Sequence, residues 1–115
     1  MSEPYRAAVR RLSRVGGVRG ALVVEAAAGV PIVAELADDV SGTAVAALAA
    51  SLYRHTGEAA RAAGYGALRT VHLEAAGGHV VAVGAGDLIV VVVTEADAQL
   101  GLVRLEAQRA AEALS

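Results

Sequence analysis

Residues 86–94 read Gly-Asp-Leu-Ile-Val-Val-Val-Val-Thr, and the unbroken apolar run from Leu88 to Val93 within them decides the fold. Successive side chains of a strand point to opposite faces of its sheet, so this run is apolar on both faces. A strand of this kind needs an apolar layer against each face. The sequence therefore predicts a central strand in a sheet that is covered by helices on both sides.

Other strand patterns lie on either side of this run in the sequence. Residues 68–74 are half polar, which is typical of an edge strand or of one that a partner completes. Glycine-rich turns connect them to residues 79–84 and then to the central strand, which predicts an antiparallel meander. Upstream, residues 20–26 and 30–36 predict a hairpin, and Pro31 favours an edge position because proline cannot donate to a strand ladder.

Three helices complete the predicted order. Ser2 is a candidate cap for a first helix that ends before Gly16. The alanine-rich, proline-free residues 41–63 predict a long second helix, and Asp97 is predicted to cap the last one. The order is α-β-β-α-β-β-β-α, which predicts an α/β fold with a five-stranded, mainly antiparallel sheet sandwiched between helices. The sequence predicts a single domain that comprises residues 1–115.

Helical periodicity predicts which helix faces are buried. Projection of the second helix at about 100° per residue gives an apolar stripe that is predicted to pack on the sheet. This stripe consists of Val45, Leu48, Ala49, Leu52, Thr56, Ala59 and Ala63. The opposite face, either solvated or a self-association surface, holds Ala47, Ala50, Ser51, Arg54, Glu58 and Arg61. On the last helix Leu102 and Leu105 lie outside the buried stripe, and the first helix is predicted to cover them.

Composition excludes several classes of function. The chain has 115 residues, 56% of them hydrophobic, and a formal net charge of −2, which argues against binding to nucleic acid or to an anionic membrane. The absence of cysteine removes disulfides and thiolate chemistry. Heavy use of alanine, valine and arginine is typical of a GC-rich bacterial genome. Without a signal peptide or a long apolar segment, the sequence predicts a soluble, cytoplasmic protein.

A search for catalytic or cofactor-binding patterns finds none. His55, His72 and His79 have no metal-ligand spacing, although His72 and His79 could face each other across a hairpin. No serine stands in a Gly-x-Ser-x-Gly turn. The glycines of residues 84–86 lead into a strand and those of residues 16–20 precede one, so neither presents a helix N-terminus to a phosphate. The sequence predicts no catalytic residue, no cofactor and no metal, and points to binding.

Four segments resemble the roadblock/dynein-light-chain family. They are Gly-Val-Arg-Gly-Ala-Leu-Val-Val at 17–24, Ala-Gly-Val-Pro-Ile-Val-Ala at 28–34, Gly-Asp-Leu-Ile-Val-Val-Val-Val at 86–93, and Leu-Gly-Leu-Val-Arg at 100–104. Their order and spacing, together with the order of elements, resemble the family over nearly the whole chain. One departure is Ala28-Gly29 in the first turn, where the family often has Asp-Gly.

The resemblance implies a homodimer, or a heterodimer with a paralogue, in which the second helices and third strands meet across a two-fold axis. The small-residue face of the second helix and the half-polar strand agree with this arrangement. The predicted dimer interface comprises Ala47, Ala50, Ser51, Arg54, Glu58, Arg69, Val71 and Leu73.

For bacterial members, the resemblance also implies binding to a Ras-like small GTPase and modulation of its nucleotide hydrolysis without a catalytic arginine. Arg54, Glu58 and Arg61 are the predicted partner-binding residues, and none of them is assigned the role of an arginine finger. The alternative is a small-molecule sensor module of GAF or PAS shape. Such a module needs a hollow core, which tightly packing valine and alanine strands disfavour.

Overall fold

The computed structural model describes residues 3–115, and its element order is the predicted one. The elements are α1 (Glu3–Ser13), β1 (Val18–Glu25), β2 (Val30–Leu36), α2 (Gly42–Ala62), β3 (Thr70–Ala75), β4 (Gly78–Ala85), β5 (Leu88–Thr94) and α3 (Leu100–Leu114). The predicted cap Ser2 lies outside the described residues. No helix within residues 3–115 has the length and apolar character needed to cross a membrane.

One antiparallel sheet with the strand order β2-β1-β5-β4-β3 forms the middle layer. The central position of β5 confirms the prediction from residues 86–94. Val90 and Val92 belong to the core on the side of α1 and α3, whereas Ile89 and Val91 belong to the core on the side of α2. Strand β2 is an edge, as Pro31 predicted.

The N-termini of α2 and α3 differ in how they are capped. The Ser41 hydroxyl accepts from the Ala44 amide at 3.3 Å and caps α2. The prediction for Asp97 is wrong, because α3 begins after Gln99 and no side chain caps it. A turn in which the Ala98 amide donates to the Glu95 carbonyl at 3.3 Å keeps Asp97 two residues ahead of the cap position.

An exposed ion pair fastens the loop before α2 to the sheet. The Arg19 guanidinium on β1 donates to the Asp39 carboxylate. This hydrogen bond holds the pKa of the Asp39 carboxyl below its ordinary value and raises the pKa of Arg19. Because the carboxyl pKa is lowered on folding, the pair stabilises the fold above the ordinary aspartate pKa and loses that effect as the pH falls through the lowered value.

The layer of α1 and α3 leaves two leucines uncovered. The buried residues of α3 are Val103, Ala107, Ala110 and Ala111. Leu102 and Leu105 are 43% and 42% exposed, so the prediction that α1 covers them is wrong. The reason is the position of α1, which lies beside the last turns of α3, where Pro4 faces Leu114 across a shallow groove.

Candidate protein-binding face

Small side chains form the face of α2 that packs on the sheet. Ala46, Ala49, Ala50 and Gly57 are the buried residues of the helix, and the half-buried Tyr53 packs with them. Protein interiors are close-packed, and short side chains allow the backbone of a helix to approach the strands. The face of α2 with the smallest side chains therefore packs on the sheet.

The predicted rotation of α2 is wrong for this reason. Leu48, which was predicted to face the sheet, is 45% exposed, whereas Ala50, which was predicted to lie on the free face, is 1% exposed. Ala50 lies against the β1–β2 turn, where a Cβ added to Gly29 would come within 3.4 Å of the Ala50 Cβ. Ala50 is therefore part of the core and is not available to a partner.

A row of larger side chains runs along one flank of α2, and we call it the leucine flank: Val45, Leu48, Leu52 and Thr56. Leu48 is exposed and the other three are half-buried. On the opposite flank, the Arg54 guanidinium donates to the carbonyls of Ala26 and Ala27 in the β1–β2 turn, at 3.4 and 3.5 Å. The leucine flank is thus directed away from that turn.

Strand β3 is the other open edge of the sheet. Its described backbone pairs with β4 on one side only, so its other side presents backbone groups to solvent. Val71 is 9% exposed and Leu73 is half-buried on the face of the sheet that carries α2. The leucine flank and the apolar side chains of β3 lie on the same face of the sheet, and together we call them the apolar strip beside α2.

The other residues predicted from sequence lie at the surface of α2 and of the segment before β3. Ala47, Arg54 and Glu58 are exposed on α2, as is Arg61, and Ser51 is half-buried with its hydroxyl 3.3 Å from the His55 Nδ1 atom. Arg69 is exposed just before β3. The Val71 side chain is buried within its own chain, so at the β3 edge this residue presents mainly its backbone groups. Sequence reasoning missed Leu48 and Leu52, although their i, i+4 spacing marks them as neighbours on one flank.

Tyr53 holds the C-terminal half of α2 on the sheet. Its hydroxyl donates to the Leu68 carbonyl at 2.9 Å. Its ring lies over Gly84 of β4, where an added Cβ would overlap the hydroxyl. Burial raises the pKa of the Tyr53 hydroxyl, and Arg61 opposes part of that rise. The glycine in β4 is thus required by an aromatic residue on the helix above it.

Removal of the Tyr53 hydroxyl should weaken this attachment. We expect Tyr53→Phe to lower the free energy of unfolding by about 1 kcal/mol, the usual net value of one hydrogen bond. Urea unfolding followed by circular dichroism measures the change. Tyr65→Phe is the matched control because Tyr65 is 86% exposed, and it should leave the stability unchanged. Equal effects of the two variants would contradict the assigned bond.

The two histidines of the β3–β4 hairpin face each other, as predicted. The His72 Nε2 and His79 Nδ1 atoms are 2.9 Å apart, and the His79 Nε2 atom is 3.0 Å from the Ala96 carbonyl oxygen. His79 is 4% exposed and is fully hydrogen-bonded, so it links the hairpin to the segment before α3. No group of three or more histidine, aspartate or glutamate side chains within residues 3–115 is placed to hold a metal ion.

An open groove of about 540 Å³ lies at the rim of the sheet, between the ends of α2 and α3. Tyr53, Arg69, Gln108 and Glu112 contribute to its walls. It lies outside the two core clusters, whose valines and alanines fill the space between sheet and helices. The sensor alternative requires a hollow interior, and this groove is not one.

The three layers, the central β5 and the open β3 edge define a small α/β/α domain. The chain belongs to the Roadblock/LC7 family, because the sequence model of the Roadblock/LC7 domain matches residues 6–94. The family is in general regulatory rather than catalytic. Two uncharacterized proteins of Methanocaldococcus jannaschii are 34% and 33% identical to this chain over 101 residues, which is 88% of this chain and 88% of each of theirs.

Solved structures have the same fold. The gliding protein MglB of Thermus thermophilus superposes with a TM-score of 0.83 at 24% identity, over 99% of this chain and 90% of that one. A Roadblock/LC7 domain from Streptomyces avermitilis gives 0.82 at 22% identity, over 92% and 90%. An MglB in a tetrameric arrangement gives 0.83 at 26% identity, over 99% and 89%. These likenesses agree with the family that the sequence model shows.

Proposed function

We propose that this protein is a non-enzymatic, dimeric regulator or scaffold that binds a Ras-like small GTPase in the cytoplasm and modulates its nucleotide cycle. The observation that carries the proposal is the apolar strip formed by the leucine flank and the β3 edge. Apolar side chains gain about 25 cal/mol for each Å² removed from water, so a strip of this kind favours association. The likeness to MglB supports the class of partner.

The dimer places the leucine flank of each subunit against that of its partner. The two β3 edges then pair and extend the sheet through both subunits, which satisfies their free backbone groups. Of the residues predicted from sequence for the interface, Arg69 and Leu73 belong to the β3 edge and keep their place, whereas Arg54 and Glu58 lie on the side of α2 away from the leucine flank. Leu48 and Leu52 are added as its centre. A paralogue with the same strip would form a heterodimer in the same way.

The paired α2 helices offer the GTPase a surface of mixed charge. Arg54, Glu58 and Arg61 are exposed on α2, on the side away from the leucine flank. Their role is recognition, since charged groups at the rim of an interface mainly steer association and fix register. We assign no arginine finger and no bound cofactor to this surface.

Titration of GTPases with the dimer tests the proposal. Each Ras-like GTPase of the source organism, loaded with GDP or with a non-hydrolysable GTP analogue, is titrated with the wild type by calorimetry, and hydrolysis is measured in parallel. We expect one of them to bind in a nucleotide-dependent way and to change its hydrolysis rate.

Charge-reversed variants locate the surface that binds. Arg61→Glu should weaken the complex about tenfold, an effect typical of an interfacial charge. The matched control is Arg104→Glu, on the opposite layer, which should leave the affinity unchanged. Failure of every GTPase to bind would contradict the proposed partner and leave the dimer to be tested separately.

A further inference from the structure

The arginines of this chain are concentrated on the side of the sheet opposite α2. Helices α1 and α3, together with Arg14 directly after α1, carry six of the ten arginines but only three of the twelve acidic residues. This layer is therefore basic in a chain whose net charge is −2. Arg6, Arg10, Arg11 and Arg14 are exposed along α1 and its C-terminal end, and we call them the basic face of α1. A basic face on an acidic protein attracts negatively charged partners to one side of it.

Most of this positive charge is not neutralised within the described part of the chain. Arg10 pairs with Glu3 at 3.1 Å, and Arg109 on α3 pairs with Glu106 at 3.3 Å. Arg6, Arg11 and Arg14 take part in none of the ion pairs formed among residues 3–115. Their guanidinium groups keep their hydrogen-bond donors for an outside acceptor.

A groove of about 230 Å³ runs between α1 and α3, and Arg11 is the residue of the basic face of α1 that lines it. Its apolar lining residues are Pro4, Ala7, Ala8, Ala110, Ala113 and Leu114. Arg11 stands on the α1 wall and Arg109 on the α3 wall, and the Arg109 side chain is 62% exposed. The groove therefore combines a site for an apolar side chain with a guanidinium on each wall.

We propose that this groove and the basic face of α1 form a second docking site, which binds an acidic segment of another protein. One apolar side chain of the segment enters the groove, and neighbouring carboxylates accept from Arg11 and Arg109. Guanidinium groups suit this task because their planar donor fork matches a carboxylate in a bidentate way. The site lies on the layer opposite the α2 surface and does not depend on the proposed GTPase partner.

The shape of this face favours a protein segment over a membrane. Helices that lie in a membrane interface insert large apolar side chains between lipids. The large apolar residues of α1, Val9 and Leu12, are buried against its own sheet, and the side chains around the groove are small. The surface is concave where a membrane-binding surface needs to protrude.

Fluorescence anisotropy with labelled peptides tests the site. The probe is a synthetic glutamate-rich peptide with a central leucine, and a lysine-rich peptide of the same length is the control. The glutamate-rich peptide should bind, with an affinity that falls as salt is added, and the lysine-rich peptide should not. Chemical-shift changes in the ¹⁵N-labelled protein should map to α1 and the last turns of α3.

Two charge reversals locate the binding. Arg11→Glu with Arg109→Glu should weaken peptide binding at least about tenfold. Arg104→Glu is the matched control, because Arg104 is exposed on α3 but does not line the groove. Circular dichroism of each variant establishes that it is folded.

Three outcomes would overturn the proposal. The first is the absence of binding by the glutamate-rich peptide. The second is an equal loss of peptide affinity with Arg104→Glu, which would mean that binding depends on the overall charge of the protein and not on the groove. The third is binding to phosphatidylserine vesicles without binding to the peptide, which would assign the basic face to a membrane.

Discussion

Gly78→Ala is expected to lower the free energy of unfolding by about 3 kcal/mol, a large effect for the addition of one methyl group. Gly78 begins β4 with a φ of +149°, which side chains rarely adopt. A Cβ added there would overlap the carbonyl oxygen of Thr94 on the neighbouring central strand. Since Thr94 is backbone-paired within the sheet, it cannot move aside without loss of ladder bonds.

Gly77→Ala is the matched control for this prediction. Gly77 is the adjacent residue in the same turn, and no heavy atom lies within 4 Å of a Cβ added to it. Its substitution should change the stability by less than about 0.5 kcal/mol. Urea unfolding of both variants measures the difference, and a Gly78→Ala protein as stable as the wild type would show that the hairpin register is wrong.

Ala50→Glu should destabilise the chain by roughly 3–5 kcal/mol, which is enough to unfold many domains of this size. Ala50 is 1% exposed between α2, the sheet and the β1–β2 turn. A carboxylate there has no cation to pair with in the core cluster that surrounds it. The expected result is loss of cooperative thermal unfolding, measured by circular dichroism.

The same substitution one turn earlier provides the control. Ala47 is exposed on α2, so Ala47→Glu should remain folded with nearly the stability of the wild type. A folded Ala50→Glu protein, as stable as the Ala47→Glu protein, would mean that α2 is rotated as the sequence alone predicted, with both residues on its free face.

The sheet could be predicted because its signals are local. A strand that is apolar on both faces belongs in the centre, and a proline belongs at an edge, whatever the rest of the chain does. The order of elements then predicted a single arrangement, in which the sheet lies between two layers of helices. Residues 86–94 and Pro31 carried these two conclusions, and both are confirmed.

The rotation of α2 could not be predicted by the same reasoning. Hydrophobic periodicity assigns the largest apolar residues to the core, but alanine is apolar on every side of this helix, so the phase depends on size and not on polarity. Leu48 and Leu52 form a genuine apolar flank whose expected neighbour lies outside the chain. In the proposed dimer a second molecule covers them, and a single sequence does not contain that molecule.

Two predictions about α3 were wrong for a related reason. Asp97 is a good cap residue, yet the turn formed by residues 95–98 places it too early in the chain. Leu102 and Leu105 lack a cover because α1 lies beside the other end of α3. Both errors concern the relative placement of elements, which local patterns do not specify.

Sedimentation equilibrium of the wild type beside Leu48→Glu tests the central claim, that the leucine flank of α2 and the β3 edge form the dimer interface. Leu48 is exposed within its own chain, so a charge there should spare the fold and act only on association. The account predicts a wild-type dimer and a folded, monomeric variant. A monomeric wild type, or a variant that dimerises as well as the wild type, would contradict it.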